Sequence, residues 1–358
     1  MSQMSVRDLG RATLARQLLL ERADLGVVEA VERLTGMQAQ EPKHPYVGLW
    51  TRLTSFEDTD LTSAVEDHSV VRATMMRGTL HLVSAADYAS YRLTLAPVLE
   101  AGLSALGDRG AGLDPPKVVK AAERLLAKEP LTFTEVRAAL QEKFPDVNER
   151  ALGFTTRMMV PLVVVPSETR WAYAANPRFS PGGDWVSAKL TDNGAAELAR
   201  RYLAAFGPAT PADFQTWSGL QKAKPLFDSL DLVELSCDGK AVYDLPDAPR
   251  PGEDAEAPVR YLPEFDNLLL AHAKRTRVIA DEHKPAVYTK NLRVKSTYLV
   301  DGMVAGLWNA DKKRGVATLH LTPFGRLLKK HRTALEKEGD ALLRFLEPDA
   351  KSHAFEVS

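Results

Sequence analysis

Two primary amides, Gln38 and Gln40, stand two residues apart in the stretch TGMQAQEPKHPYVGLWTR, Thr35 to Arg52. A side-chain amide offers donors and acceptors but takes no proton near neutrality. Two of them aimed at one point can hold a water and set carbonyl dipoles against developing positive charge. Convergence depends on the backbone. On a continued helix the pair diverges by roughly 200°, whereas in extended chain both point to one side. The bland alternative is a polar loop between two helices.

The flanks favour extended chain. Val27, Val31 and Leu34 fall at i, i+4 and i+7, one apolar face of a helix. Gly36 stands where such a helix stops. Pro42 and Pro45 each remove a backbone donor and push the preceding residue towards extended geometry, so no quick helical restart is expected.

Other chemistries find no footing. There is no HExxH, no close histidine pair suited to a metal, no Walker A loop and no Gly-x-Ser-x-Gly elbow. Gly107, Gly110 and Gly112 follow a helical pattern rather than a strand, against a dinucleotide fingerprint. The one cysteine, Cys237, excludes a disulfide framework and a cysteine-based zinc cluster, and reads as a small buried apolar residue. The expected site uses no metal and no cofactor.

The chain has 358 residues, 45% hydrophobic and 26% charged, enough for two or three domains of an ordinary soluble protein. No apolar run approaches the roughly 18–20 residues of a membrane span. The N-terminus lacks the order of a signal peptide, so a cytoplasmic protein is expected. The net charge of −1 conceals a strong polarity. Residues 271–332 hold fourteen Lys/Arg against four Asp/Glu, whereas residues 230–266 hold ten acidic residues against three basic. A basic stretch on an acidic body fits one polyanion-binding face. Solvated charge on a surface helix explains Lys329, Lys330, His331 and Arg332 equally well.

The elements that position these residues come in a repeated order, helices followed by a hairpin. In 1–106, helical patterns at 8–20, 26–35 and 59–67 precede β-rich runs at 70–77 and 79–83. In 107–190, helices at 117–128, 134–144 (capped by Thr132) and 149–159 (capped by Asn148) precede strands at 160–166 and 170–174. In 191–246, helices at 192–206, 211–219 and 222–229 precede strands at 231–236 and 241–245, joined by a tight Asp238-Gly239 turn. The remainder, 247–358, begins with an acidic Pro-rich linker. It turns β-rich at 296–308 and 316–322, and closes with a helix over 323–346. The expected class is α+β: three tandem winged helices and a small C-terminal β-rich domain with a closing helix.

Three blocks resemble the AlkZ/YcaQ-like winged-helix DNA glycosylases, the group that includes enzymes actinobacteria keep against their own DNA-alkylating products. They are TGMQAQEPKHPYVGLWTR, then MRGTLHLVSAADY (Met76 to Tyr88), then LPEFDNLLLAHAKRTRVI (Leu262 to Ile279). The resemblance covers nearly the whole chain. It implies monofunctional hydrolysis of an N-glycosidic bond, with Gln38 and Gln40 as the catalytic pair. Glycosidic chemistry usually recruits carboxylates, and two amides suffice only where the leaving group is already activated. N7-alkylguanine, positively charged before it leaves and neutral afterwards, is such a group. The resemblance also implies action on interstrand crosslinks, and a base tied to both strands does not flip freely.

In the family the block His272-Ala273-Lys274-Arg275-Thr276-Arg277 lies near the DNA path. As a strand it would put 272, 274 and 276 on one face with Arg275 and Arg277 on the other, so His272, Lys274, Arg275 and Arg277 are the candidate duplex contacts. A surface salt-bridge cluster is the alternative. Glu264 and Asp266 read as structural partners. The expected partner is double-stranded DNA bearing alkylated purines, bound by a monomer. A non-enzymatic winged-helix regulator, the alternative function, would need a basic recognition helix, and the candidates offer only Lys222 and Lys224, or Arg150 and Arg157. A protein-interaction scaffold has no use for the basic stretch.

Overall fold

A computed structural model describes residues 2–358. The chain starts with a short strand, β1 (Gln3–Met4), and a helix, α1 (Val6–Arg16). Ser5 caps α1 with a reciprocal box: its hydroxyl accepts from Asp8 N at 3.0 Å while the Asp8 carboxylate accepts from Ser5 N at 2.8 Å. The helix stops at Arg16, short of the apolar pattern that suggested residue 20, because Leu18 turns left-handed at φ 57°. That turn sends Leu18 and Leu19 into two different cores. Gly10 lets α1 press onto the chain at 277, since a Cβ there would lie 2.6 Å from the Arg277 carbonyl oxygen.

The next helix, α2 (Val27–Arg33), buries Val27, Ala30 and Val31. Thr35 at φ 55° and Gly36 at φ 81° close it, with Gly36 N donating to Val31 O at 2.9 Å. A Cβ at Gly36 would meet Val83 at 2.8 Å, so both conformation and space require glycine. The chain then extends as β2 (Met37–Gln38). The expectation that two prolines would prevent a quick restart fails here, because α3 (Lys43–Trp50) begins at once. Pro42 is its cap and Pro45 lies in the first turn, where a missing N–H breaks no helical bond.

After α4 (Asp58–Glu66) come β3 (Val70–Thr74) and β4 (Leu80–Ser84), joined by a turn in which Arg77 (φ 55°) and Gly78 (φ 72°) are both left-handed. These belong to a six-stranded sheet in the order β2-β4-β3, then Leu162–Val164, Arg178–Pro181 and Leu131–Thr132. One sheet therefore runs through both of the first two helix–hairpin repeats. The strand expected at 170–174 lies instead at Arg178–Pro181. Arg170 stacks 4.3 Å from the Trp171 ring and donates to the carbonyl of Phe345 at 2.6 Å, so the apparent period-two run is a turn docked on the C-terminal helix.

A second sheet sets β1 parallel to the hairpin Val233–Cys237/Lys240–Asp244, with the expected left-handed pair Asp238 and Gly239 in its turn. The third has five strands, Arg260–Leu262, Thr297–Val300, Met303–Lys313, Val316–Pro323 and Ser352–Val357. Its last strand, parallel to Val316–Pro323, had no separate expectation. The closing helix starts at Lys329 rather than 323, leaving Leu328 half exposed ahead of it.

Two buried bidentate ion pairs tie these parts together. Arg16 of α1 grips Asp244 at 2.7 and 2.8 Å. Arg52, just past α3, grips Asp266 at 2.9 and 2.8 Å. Breaking one partner of such a pair leaves a buried charge alone. Arg52→Met should therefore lower unfolding stability by about 3–5 kcal/mol in urea titration, because it leaves the Asp266 carboxylate buried without its cation.

Candidate active site

As the outermost strand, β2 has only one neighbouring strand. On the inner side it pairs antiparallel with β4, Met37 opposite Leu82 and Gln38 opposite His81. On the outer side stands the side chain of Asn267. Its Nδ2 donates to Gly36 O at 2.5 Å, and its Oδ1 accepts from Gln38 N at 3.2 Å. One side-chain amide thus supplies what a neighbouring peptide would. Asp266 places it: Oδ1 of Asp266 accepts from Leu268 N at 3.0 Å, capping a short helical turn at Asn267–Leu269.

The linker is held from β3 as well. Arg72, 4% exposed, donates to Ala39 O at 2.8 Å and to Gln40 O at 2.9 Å. Backbone atoms of residues 36–40 carry these clamps, which leaves the amide of Gln40 clear of them. Gln38, 8% exposed, has its Oε1 bonded to Nη2 of Arg77 at 2.7 Å. Arg77 also donates to the carbonyl of Trp217. Burial, and then the nearby charge of Arg275, push the Arg77 guanidinium down to about 10. A cavity of about 10 Å³, close to the room one water needs, is lined by Gln38, Gln17, His44 and Asn267.

His81, buried opposite Gln38, bonds through Nδ1 to Thr79 O at 3.0 Å. A carbonyl only accepts, so Nδ1 carries the hydrogen, and Nε2 has no partner. Burial first, then the charge of Arg77, hold its pKa at about 3, so it is a neutral and feeble base at pH 7. The carboxylates of the neighbouring segment are engaged elsewhere. Asp266 belongs to Arg52, and Glu264 accepts from Arg293 at 2.8 and 2.7 Å, the structural roles expected of both. Among the groups lining the cavity, the Gln38 amide is left to hydrogen-bond with a ligand.

The family model described as "DNA glycosylase AlkZ-like" matches residues 31–345, most of the chain. The chain belongs to the AlkZ-like DNA glycosylases. It is 27% identical to a protein of Streptomyces sahachiroi named interstrand DNA cross-link repair glycosylase, over 92% of this chain and 94% of the relative. The solved structure of S. sahachiroi DNA glycosylase AlkZ superposes with a TM-score of 0.84 at 23% identity, covering all of both chains, and so shares the fold.

In this glycosylase the block 272–277 is not a strand, so the alternation of faces expected for it is absent. It is an irregular segment strapped to helices. His272, 1% exposed, bonds through Nε2 to Phe206 O at 3.0 Å, and Ala273 N donates to Asp213 Oδ1 at 2.9 Å. Arg277, 7% exposed, donates to Pro208 O at 2.8 Å and to the Thr13 hydroxyl at 3.3 Å. As phosphate contacts these two residues are corrected: their polar groups are turned inward, Nε2 of His272 and the guanidinium of Arg277 each onto a backbone carbonyl. Lys274 is exposed and half-buried Arg275 lies over Tyr288, 4.4 Å from the ring centroid.

Asn267, Arg72 and Arg77 were not singled out from sequence. A signal existed for the arginines, each set among apolar residues in VVRATMMRG. A cation so placed must be buried, and must find carbonyls.

Asn267→Leu should leave the Gln38 N–H and the Gly36 carbonyl unmet, lowering stability by about 1–3 kcal/mol. Hydrogen exchange at Gln38 should quicken more than at the β3–β4 ladder. A further expectation concerns acid. His44, His81 and His272 are held by burial at about 4, 3 and 3, below their ordinary 6.5. Protons therefore bind the unfolded chain first, so stability is full above about pH 6.5 and falls as pH drops towards these values. Melting temperatures across pH 4–8 should show this decline, and His81→Asn should flatten it.

Proposed function

We propose that this AlkZ-like glycosylase hydrolyses the N-glycosidic bond of cationic N7-alkylguanine in duplex DNA, interstrand crosslinks included, using water positioned by Gln38 and Gln40. The water oxygen bonds to C1′, the C1′–N9 electron pair leaves with the base, which becomes neutral, and the proton passes to solvent. The observation that carries this reading is one amide on an edge strand and a second two residues on, in a linker clamped through its backbone, with Glu264 and Asp266 already paired. Such a site aims dipoles and holds water but does not protonate a leaving group, so it suits a base that needs no protonation. The printed name of the Streptomyces relative, a cross-link repair glycosylase, agrees with it. The reaction is monofunctional and needs no cofactor.

The duplex would run along three winged-helix units, 1–106, 107–190 and 191–246, with 247–358 closing the site, and the enzyme would act as a monomer. Lys274 and Arg275 grip phosphates, with His272 and Arg277 holding them from beneath. The loop between Tyr288 and Val294 joins this face. Its tip, Leu292, is 87% exposed between Lys290 and Arg293. Nothing favours the regulator reading, since Lys224 is paired with Asp228 and Arg157 is half-buried.

Duplex containing N7-methylguanine should lose free base in the presence of EDTA, leaving an abasic site and no nick. A borohydride-trapped protein–DNA adduct would contradict the monofunctional reaction. Gln38→Ala and Gln40→Ala should each slow release by about 10²–10⁴-fold with DNA affinity within a few-fold of wild type. If both turn over like the parent, the linker is structural. Replacing Lys274 and Arg275 together should lower the slope of log affinity against log salt by about two, equally for adducted and plain duplex.

A further inference from the structure

We infer that Arg77 is a positioning residue that fixes the Gln38 amide with its oxygen inward, making Gln38 a hydrogen-bond donor to the substrate and leaving Gln40 as the acceptor for the attacking water. The inference rests on the proposed reaction and divides its labour between the two amides.

The argument starts from what a guanidinium can do. It has five N–H donors and no acceptor. Whatever approaches Nη2 of Arg77 at 2.7 Å must therefore be the oxygen of the Gln38 amide. A reversed amide would set donor against donor. The NH₂ end then faces away from Arg77, and a charged donor on Oε1 polarises the amide so that those hydrogens become stronger donors. The oxygen of Gln38 is engaged by Arg77, which leaves its NH₂ group as the end free for the substrate. Gln40, clamped only through its backbone, keeps its oxygen as an acceptor.

Guanine offers a matching acceptor. Its O6 lies beside N7, and it gains electron density as the C1′–N9 pair moves into the ring. A donor there stabilises the departing base without transferring a proton.

Arg77 also holds the Trp217 carbonyl, but it is an unfavourable residue for closing this turn. Its φ of 55° is one that glycine or asparagine adopts more cheaply, and Gly78 follows at 72°. The neighbouring charge that acts on its guanidinium is Arg275, of the same sign. A residue that merely closed this turn would need neither the length nor the charge. The bond to Gln38 uses both.

The test is a double-mutant cycle on single-turnover base release from N7-methylguanine duplex, with DNA affinity and melting temperature measured alongside. Arg77→Gly suits the left-handed backbone but leaves the Trp217 carbonyl without its donor, so the melting temperature should move little while the rate falls about 10²-fold, the scale of a misplaced group. Arg77→Lys, which still donates to Oε1, should recover part of the rate and serves if the glycine variant folds poorly. In a Gln38→Ala background Arg77→Gly should cost less than about twofold, because there is no amide left to orient. Gln40→Glu should keep part of the activity, since a carboxylate still accepts, whereas Gln38→Glu should lose it, since a carboxylate cannot donate. An additive cycle, or equal losses in the two glutamate variants, overturns the inference while the proposed reaction stands. A wild-type protein that releases no base overturns the reaction itself.

Discussion

The side chain of Asn267 does the work of a missing strand. An edge strand two residues long has too few ladder bonds to hold a catalytic side chain in place, and its outer edge would ordinarily face water. Here that edge meets one amide, donor to Gly36 and acceptor to Gln38. Asn267 is fixed in turn by its neighbour, because Asp266 is locked to Arg52. Arg52 lies at the end of the helix that follows the glutamine linker. The constraint closes on itself: linker, α3, Arg52, Asp266, Asn267, linker. Residues 36–52 and 262–269, far apart in the chain, form one rigid frame. Two of the three blocks that resemble the family are the two halves of that frame.

Arginine carries much of this interior, and it does so largely through carbonyls. Arg72 holds Ala39 and Gln40, Arg77 holds Trp217, Arg92 holds Met158 and Arg277 holds Pro208. Burial lowers the pKa of each of these four. A guanidinium has enough donors to satisfy several carbonyls at once. The charge of Arg77 adds to burial in keeping His81 neutral.

Much of the fold was legible because local patterns were strong. The capping box at Thr132, the Asn148 cap and the Asp-Gly turns at 238–239 and 301–302 set element boundaries to within a few residues. The failures share a cause, in that partners distant in sequence decided the outcome. Residues 170–174 look like a strand until the C-terminal helix claims Arg170 and Trp171. The basic block looks like an exposed ribbon until Phe206, Pro208 and Asp213 claim His272, Arg277 and the backbone between them. Charge counting did not show which cations are paired. Of the basic residues in 271–332, Lys284, Arg293, Lys312, Lys313 and Arg332 are each spent on a carboxylate. The spacing of Gln38 and Gln40 was readable, but the bond that engages only one of the two amides was not. It depends on Arg77, 39 residues from Gln38 in sequence and in a hairpin turn.

Under the proposed reaction, positive charge is not created in the site but moved. It begins on the alkylated base and passes to the sugar as the C1′–N9 bond lengthens. A site built for such a step needs no group that changes protonation between pH 5 and 8, and the buried histidine beside Gln38 is held far from that range. It needs donors where the base gains electrons and acceptors where the sugar loses them. Amides supply both without titrating, provided each is prevented from turning over. A carboxylate in place of Gln38 would be drawn into an ion pair with Arg77 and would offer no donor. Under that reaction the geometry of the site follows from one requirement: dipoles of opposite sense, set two residues apart, one on an edge strand and one in the clamped linker just past it.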